Sequence, residues 1–143
     1  MLKQRIKYTD FNGVEREEDF YFNMSTMDAR RLMYSKPEGL KEFVEAKFKE
    51  NDINPVIDLF EDVILSSYGE KSEDGMSFEK SKELSEKFSK TAAYEALVEM
   101  FFDKPGFVNE FFVSVLPSNL SEKYKEYSES NEADVLKLIK TEE

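Results

Sequence analysis

The segment LKQRIKY, residues 2–8, alternates two kinds of side chain and decides how the fold begins. Its even-numbered side chains fall on one face and its three cations on the other, which is the period of a half-buried β-strand. The segment EEDFYFN, residues 17–23, alternates in the same way, with Phe20 and Phe22 on its even-numbered face. Together the two segments predict an antiparallel β-hairpin.

The register of this hairpin follows from which faces are apolar. Matching apolar to apolar pairs even-numbered residues with each other, whereas a two-residue turn at Asn12-Gly13 would pair Ile6 with Asp19. We therefore expect a three- or five-residue loop in which Gly13 has a positive φ. On the solvent side we expect Lys7 to face Asp19.

After the hairpin the apolar period changes to that of a helix. Ser25 or Thr26 can cap a short helix that ends near Tyr34, before the breaking segment KPEG at residues 36–39. A second helix is predicted over residues 40–50. Its apolar residues are Leu40, Phe43, Val44 and Phe48.

The clearest helical pattern begins at Asn54. Asn54 is a favourable N-cap, Pro55 suits the first helical position, and Gly69 stands where a left-handed C-terminal cap is expected. The carboxylates of Glu61 and Asp62 diverge by about 100° around this helix, so an exposed face is a better interpretation than an acid–base pair. The apolar stripe comprises Ile53, Val56, Ile57, Phe60, Val63, Ile64 and Tyr68, with Asp58 on the opposite face.

Residues 81–102 predict either one long helix or two helices divided near Thr91, with Leu84, Phe88, Leu97, Met100 and Phe101 facing inward. A further helix restarts at Pro105 and stops at Pro117. It carries a wide apolar face made of Phe107, Val108, Phe111, Phe112, Val115 and Leu116. We interpret this face as core, with a groove for a partner as the alternative.

The predicted fold class is therefore α+β, an N-terminal antiparallel β-hairpin followed by a mainly α-helical domain that together span residues 1–120. Residues 121–143 are expected to form an acidic, partly disordered tail with a short amphipathic helix. The apolar residues of that helix are too few for a core, so either contact with a partner or simple disorder is expected for Val135, Leu136 and Ile139.

Composition excludes most enzyme chemistry. The 143 residues include no His, Cys or Trp, which removes Ser-His and Cys-His catalysis, imidazole or thiolate metal sites and disulfides. Glu70, Glu73 and Asp74 lack the alternating spacing of a calcium loop, so a solvated acidic turn is the better interpretation. We expect a protein that is not an enzyme and has no cofactor.

The net charge of −11 bears on partners. An acidic surface repels phosphate, so nucleic acid and anionic membrane surfaces are not expected partners. The apolar runs fall far short of the roughly 20 residues that a spanning helix needs, and the N-terminus lacks the apolar stretch of a signal peptide. These features predict a cytoplasmic protein.

Two separated segments carry a family resemblance. The segment IKYTDFNGVER at residues 6–16, leading to DFYFN at 19–23, resembles the start of the tail assembly chaperones of long-tailed phages and prophages of Gram-positive bacteria. A second segment agrees with it, although Met76 and Ser77 are less typical. The matching residues there are Tyr68, Gly69, Glu70, Lys71, Ser72, Glu73, Asp74, Gly75, Phe78, Lys80 and Ser81.

This resemblance implies a function that the residues alone do not. Proteins of the family are thought to bind the tape measure protein, keep it soluble while tail tube protein polymerises around it, and be absent from the virion. Other copies of the chain and tail tube protein are further possible partners, and a programmed frameshift often extends a minority of copies. The alternative is a structural tail or head-completion subunit that is retained in the virion.

The same resemblance leaves the role of residues 68–81 open between fold and partner contact. The structural interpretation assigns positive φ to Gly69 and Gly75, and makes Ser81 the cap of the next helix.

Overall fold

A computed structural model of the protein describes residues 1–120. The predicted tail and its apolar residues Val135, Leu136 and Ile139 lie outside the described residues. Strands β1 (Leu2–Thr9) and β2 (Glu15–Phe22) precede helices α1 (Thr26–Ser35), α2 (Leu40–Lys49) and α3 (Asn54–Ser67). Strands β3 (Tyr68–Lys71) and β4 (Phe78–Glu79) follow, and then helices α4 (Lys82–Ser89), α5 (Ala92–Asp103) and α6 (Pro105–Val115).

The N-terminal hairpin has the predicted geometry. Leu2 pairs with Phe22 and Ile6 with Glu18, so even-numbered residues pair with each other across a five-residue loop. Gly13 has a φ of +82°. The apolar face packs inward, where Ile6 and Phe22 are fully buried.

The expected pairing of Lys7 with Asp19 is wrong. Lys7 lies opposite Glu17, and Asp19 lies opposite Arg5. The Arg5 guanidinium bonds both acids, with Nε 2.9 Å from Glu17 and Nη1 3.3 Å from Asp19. The loop is centred on Asn12, which sets this register, because a loop with an odd number of residues centred on Gly13 would have paired Lys7 with Asp19.

The hairpin is one half of a four-stranded antiparallel sheet in the order β1-β2-β3-β4. Helices pack against its apolar face, which confirms the α+β class. The second hairpin, β3–β4, was not predicted as strands. It joins the first through β2, where Tyr21 pairs with Gly69 and Phe22 with Tyr68.

Helix α3 begins at the predicted place and buries most of its predicted stripe, but neither of its predicted caps forms. Asn54 is the first helical residue and the N-cap is Ile53, which makes no side-chain cap bond. Ile53 is also 43% exposed, while Leu59, which was left out of the stripe, is buried. Gly69 does not cap the helix with a positive φ, because the chain passes from Ser67 directly into β3.

A left-handed cap occurs instead at the end of α2. Asn51 has a φ of +57°, the Asn51 amide donates to the Phe48 carbonyl, and the Asp52 amide donates to the Lys47 carbonyl. This pair of bonds is a Schellman motif. Phe48, one of the apolar residues of α2, is 38% exposed.

Other helix boundaries are confirmed. The Asp28 amide donates to the side chain of Ser25, the N-cap of α1, at 3.1 Å. Residues 82–103 form two helices, and Thr91 caps the second by accepting from the Tyr94 amide. Within the described part of the chain, α6 ends at Val115 before Pro117, and Leu120 is buried against the core.

Candidate functional site

The motif at residues 68–81 forms a small β-hairpin rather than a loop. Tyr68–Lys71 is β3, Phe78–Glu79 is β4, and a six-residue turn joins them. Glu70 pairs with Glu79 and Lys71 with Phe78. A sequence rule for strands does not detect such a hairpin, because two paired residues are too few to show an alternating pattern.

Side chains of the motif hold its turn together. The Asp74 carboxylate accepts from the Ser72 hydroxyl at 2.6 Å and from the Met76 amide at 3.0 Å. The Ser72 hydroxyl accepts from the Ser77 amide, and Gly75 has the predicted positive φ, at +76°. The Ser72 hydrogen bond, followed by that of Met76, lowers the pKa of Asp74.

Gly69 is required for a reason other than the predicted one. A Cβ at this position would stand 2.5 Å from the Phe78 ring and 2.6 Å from the Glu79 carbonyl oxygen. Real Cβ atoms do not approach that closely, and the carbonyl is fixed by strand pairing. Gly69 therefore lets β4 and its aromatic side chain lie directly on β3.

The motif is attached to the core and to the first hairpin. The Tyr68 ring stacks on Phe88 of α4 at 4.1 Å with an interplanar angle of 7°, and packs edge-on against Phe22 of β2. The Lys80 ammonium donates to the Asn23 carbonyl at 3.0 Å and lies 3.7 Å from Asp28. The motif thus connects the sheet to α1 and α4.

The last residue of the motif starts a helix, as predicted. The Ser81 hydroxyl accepts from the Leu84 amide at 3.0 Å and caps α4. One turn later the Ser85 hydroxyl donates to the Leu65 carbonyl of α3 at 2.8 Å. These bonds fix α4 against α3.

The acidic side chains of the motif lie at the surface. Glu70, Glu73 and Asp74 are exposed, and Met76 at the tip of the turn is 84% exposed. Within residues 1–120 no cluster of three or more acidic side chains has the arrangement of a metal site. The packing and hydrogen bonds described above give Tyr68, Gly69, Asp74 and Ser81 structural roles. Contact between the motif and a partner stays a prediction.

The aromatic residues suggested for partner contact lie mostly inside. Phe111 and Phe112 are 1% and 0% exposed, and Phe111 packs edge-on against Phe22 and Phe101. Phe107 is partly buried and packs against Phe101 at 5.2 Å. Their burial favours the core interpretation of α6.

One side of α6 nevertheless borders a groove. Its volume is about 410 Å³, and it lies between α2 and α6. The apolar lining comes from Leu40, Val44, Phe48, Val108 and Phe112. Charged residues of both signs also line it, the cation Lys41 and the acids Glu45 and Glu110. We call it the α2–α6 groove. The sequence showed an apolar stripe on each of the two helices, but it did not predict that the helices lie side by side.

The adjacent carboxylates of α3 do not form a pair. Glu61 accepts a hydrogen bond from the Tyr94 hydroxyl at 3.0 Å, whereas Asp62 lies one position further around the helix. Partial burial, followed by the charge of Asp58, raises the pKa of Asp62. Within residues 1–120 no helix has the length and apolar character needed to cross a membrane.

A known protein family matches nearly the whole chain. A family model described as phage tail assembly chaperone matches residues 1–142. No curated protein and no solved structure matches the chain. The matched region includes both hairpins and all the helices of the described part of the chain.

Proposed function

The chain belongs to the phage tail assembly chaperone family, and on that premise we propose that it binds the tape measure protein and keeps this long helical chain soluble during tail tube assembly. The family match over residues 1–142 is the observation that carries the proposal. Both segments of the resemblance, in the first hairpin and in the motif hairpin, fall inside the matched region.

The physical character of the chain supports this role. With a net charge of −11, each bound copy adds negative charge to the complex, and like charges keep such complexes apart in solution. Grooves between helices give an amphipathic helix somewhere to bury its apolar face. Coverage of a long aggregation-prone chain by many acidic copies would thus raise its solubility.

The rest of the proposal concerns setting and partners. The protein acts in the cytoplasm of the bacterial host, without catalysis, in a long-tailed phage or prophage of Gram-positive bacteria. It is absent from the finished particle, and its further partners are tail tube protein and other copies of itself.

Coexpression tests the proposal. The tape measure protein of the same phage, insoluble when expressed alone, should remain in the supernatant when this chain is coexpressed, and the two should copurify with many chaperones per tape measure chain. The matched control is an unrelated acidic protein of similar size and charge, which separates specific binding from a general effect of charge.

Two results would contradict the proposal. Equal insolubility of the tape measure protein with and without this chain would remove the chaperone role. Mass spectrometry that finds the chain in purified particles at the abundance of a structural subunit would favour the tail or head-completion alternative.

A further inference from the structure

A second groove lies where α5, α3 and β1 meet. Its volume is about 400 Å³. Ile57, Ala92, Ala96 and Val98 supply apolar lining, and Tyr8 of β1 also lines the groove. The small side chains of Ala92 and Ala96 follow one another at a four-residue spacing, so the backbone of a partner helix can approach α5 closely here.

The charged residues that line this groove are all acidic. They are Glu61 of α3 and Glu95 and Glu99 of α5, and all three are exposed. Among the residues that the structure describes, no Lys or Arg lines it. We call it the acidic groove.

The two helices beside the acidic groove extend its charge. Helix α3 contributes Asp58, Glu61 and Asp62, and helix α5 contributes Glu95, Glu99 and Asp103, while neither helix contains Lys or Arg. The chain as a whole has 20 Lys and Arg among its 143 residues. The one-signed charge is therefore a local property of α3 and α5, since cations are common elsewhere in the chain.

A buried tyrosine holds one of these carboxylates in place. Tyr94 is 8% exposed, and its hydroxyl donates to Glu61 at 3.0 Å. Burial, followed by the hydrogen bond to Glu61, raises the pKa of Tyr94 well above its usual range. Tyr94 therefore remains a hydrogen-bond donor at physiological pH, and it holds the Glu61 side chain in place beside the groove.

We infer that the acidic groove binds an amphipathic helix of the tape measure protein that presents an apolar stripe flanked by Lys and Arg. This inference rests on the function proposed above and adds to it the surface and the chemistry of the bound segment. The apolar lining takes the stripe, and Glu61, Glu95 and Glu99 face the flanking cations.

Charge complementarity distinguishes this groove from the α2–α6 groove. The rim of the α2–α6 groove includes Lys41 as well as Glu45 and Glu110, so it favours neither sign of partner charge. An anionic helix would be repelled at the acidic groove, because the three charged side chains that line it have the same sign. The acidic groove therefore favours a cationic helix as its partner.

The test is a comparison of two double variants that each remove two negative charges. Glu95→Gln with Glu99→Gln alters the acidic groove, and Glu45→Gln with Glu110→Gln alters the α2–α6 groove by the same amount. The probes are the tape measure protein in coexpression and labelled Lys- and Arg-rich helical peptides from its sequence. Circular dichroism checks that both variants fold.

We expect the Glu95/Glu99 variant to bind the peptides about tenfold more weakly, because it loses two exposed ion pairs with the bound helix. The Glu45/Glu110 variant should bind as the wild type does. Raising the salt from about 50 to about 500 mM should weaken wild-type binding and leave the Glu95/Glu99 variant less affected. Peptides in which Gln replaces Lys and Arg should lose the difference between the two variants.

Other outcomes overturn the inference in distinguishable ways. If the wild type binds the tape measure protein and the Glu95/Glu99 variant binds it equally well, the acidic groove is not the site, although the proposed function stands. Weaker binding by the Glu45/Glu110 variant alone would assign the helix to the α2–α6 groove.

The test must also distinguish the tape measure helix from a second copy of this chain. Helix α1 exposes the cations Arg30 and Arg31 between Met27 and Tyr34, so α1 of another copy has the charge that the groove selects. Sedimentation of the chain alone tests it. Self-association that disappears in the Glu95/Glu99 variant, with peptide binding unchanged, would assign the groove to the second copy. Failure of the wild type to bind the tape measure protein at all would remove the proposed function itself.

Discussion

The two β-hairpins of this protein have turns of similar chemistry and strands of very different length. In each turn an aspartate carboxylate accepts backbone amides, Asp10 in the first and Asp74 in the second. Each turn also contains a glycine with positive φ, Gly13 and Gly75. The first hairpin has two strands of eight residues, whereas the second has strands of four and two.

The difference teaches what holds each hairpin in place. Eight-residue strands carry enough alternation to bury one face and fix their own register. Two paired residues cannot do so, and the short hairpin depends on contacts outside itself: the Gly69 approach to β4, the Tyr68 ring on Phe88, and the Lys80 bond to the Asn23 carbonyl. The same turn chemistry thus serves two hairpins that are stabilised differently.

Phe88→Ala should have the largest effect, because this ring contacts both hairpins. Its centroid lies 5.4 Å from that of Phe20 and 6.0 Å from that of Phe22 in β2, and 4.1 Å from that of Tyr68 in β3. Phe88 is 2% exposed, so truncation loses transfer energy and leaves a cavity, at a cost of roughly 3–5 kcal/mol. Urea unfolding measures the loss.

The matched control for this change is Phe48→Ala. Phe48 is 38% exposed and meets Phe102 at the edge of the core, so its loss should be well under that of Phe88. Equal losses would mean that the aromatic packing at Phe88 does not join the two hairpins to the core.

Gly69→Ala should distinguish the two hairpins more clearly than Phe88→Ala, because it disturbs only the second hairpin directly. The added Cβ would collide with the Phe78 ring and the Glu79 carbonyl, and we expect a cost of about 3 kcal/mol, the upper end for over-packing. Hydrogen exchange should show the loss first at amides of residues 68–79, because β4 must move away from β3.

Gly13→Ala and Gly75→Ala are the controls. A Cβ at either position meets nothing within 4 Å, so only the positive φ is strained, at about 1 kcal/mol. If Gly69→Ala were as mild as these two, β4 would be able to shift without cost, and the short hairpin would not depend on close packing.

The sequence predicted those features whose cause is local. Alternation predicted that even-numbered residues of β1 and β2 pair with each other, and hydroxyl side chains at Ser25 and Ser81 predicted the starts of two helices. The turn at Gly75 was predicted for the same reason, since its conformation depends on neighbouring residues.

The sequence did not predict features whose cause is distant. A glycine after a long helical stripe is typical of a C-terminal cap, and nothing near Gly69 indicates that Phe78 and Glu79 will pack against it. The acidic groove was missed for a related reason. The absence of Lys and Arg from α3 was visible, but the groove appears only once α5 and β1 lie beside it.

The smallest expected effects test the shared turn chemistry. The Asp10 carboxylate accepts from the Arg16 guanidinium at 2.6 Å and from the Val14 and Asn12 amides, and these bonds lower its pKa. In the second turn, the hydrogen bonds from Ser72 and Met76 lower the pKa of Asp74 in the same way. A carboxyl whose pKa is lower in the folded state stabilises the fold above its unfolded-state pKa, near 3.8. That contribution is lost as the pH falls through the folded-state pKa.

Asp10→Asn and Asp74→Asn should therefore each lower the Tm slightly at pH 7, and the gap from the wild type should narrow as the pH falls below about 4. The gap should be wider for the Asp10 variant, because an uncharged amide there loses the ion pair with Arg16, whereas the Asp74 carboxylate has Ser72 and an amide as its donors. Thermal scans between pH 7 and pH 3 measure both. A gap that stays constant down to pH 3 would show that the carboxylate's charge is not what organises the turn, and that the uncharged hydrogen bonds of the side chain suffice in both hairpins.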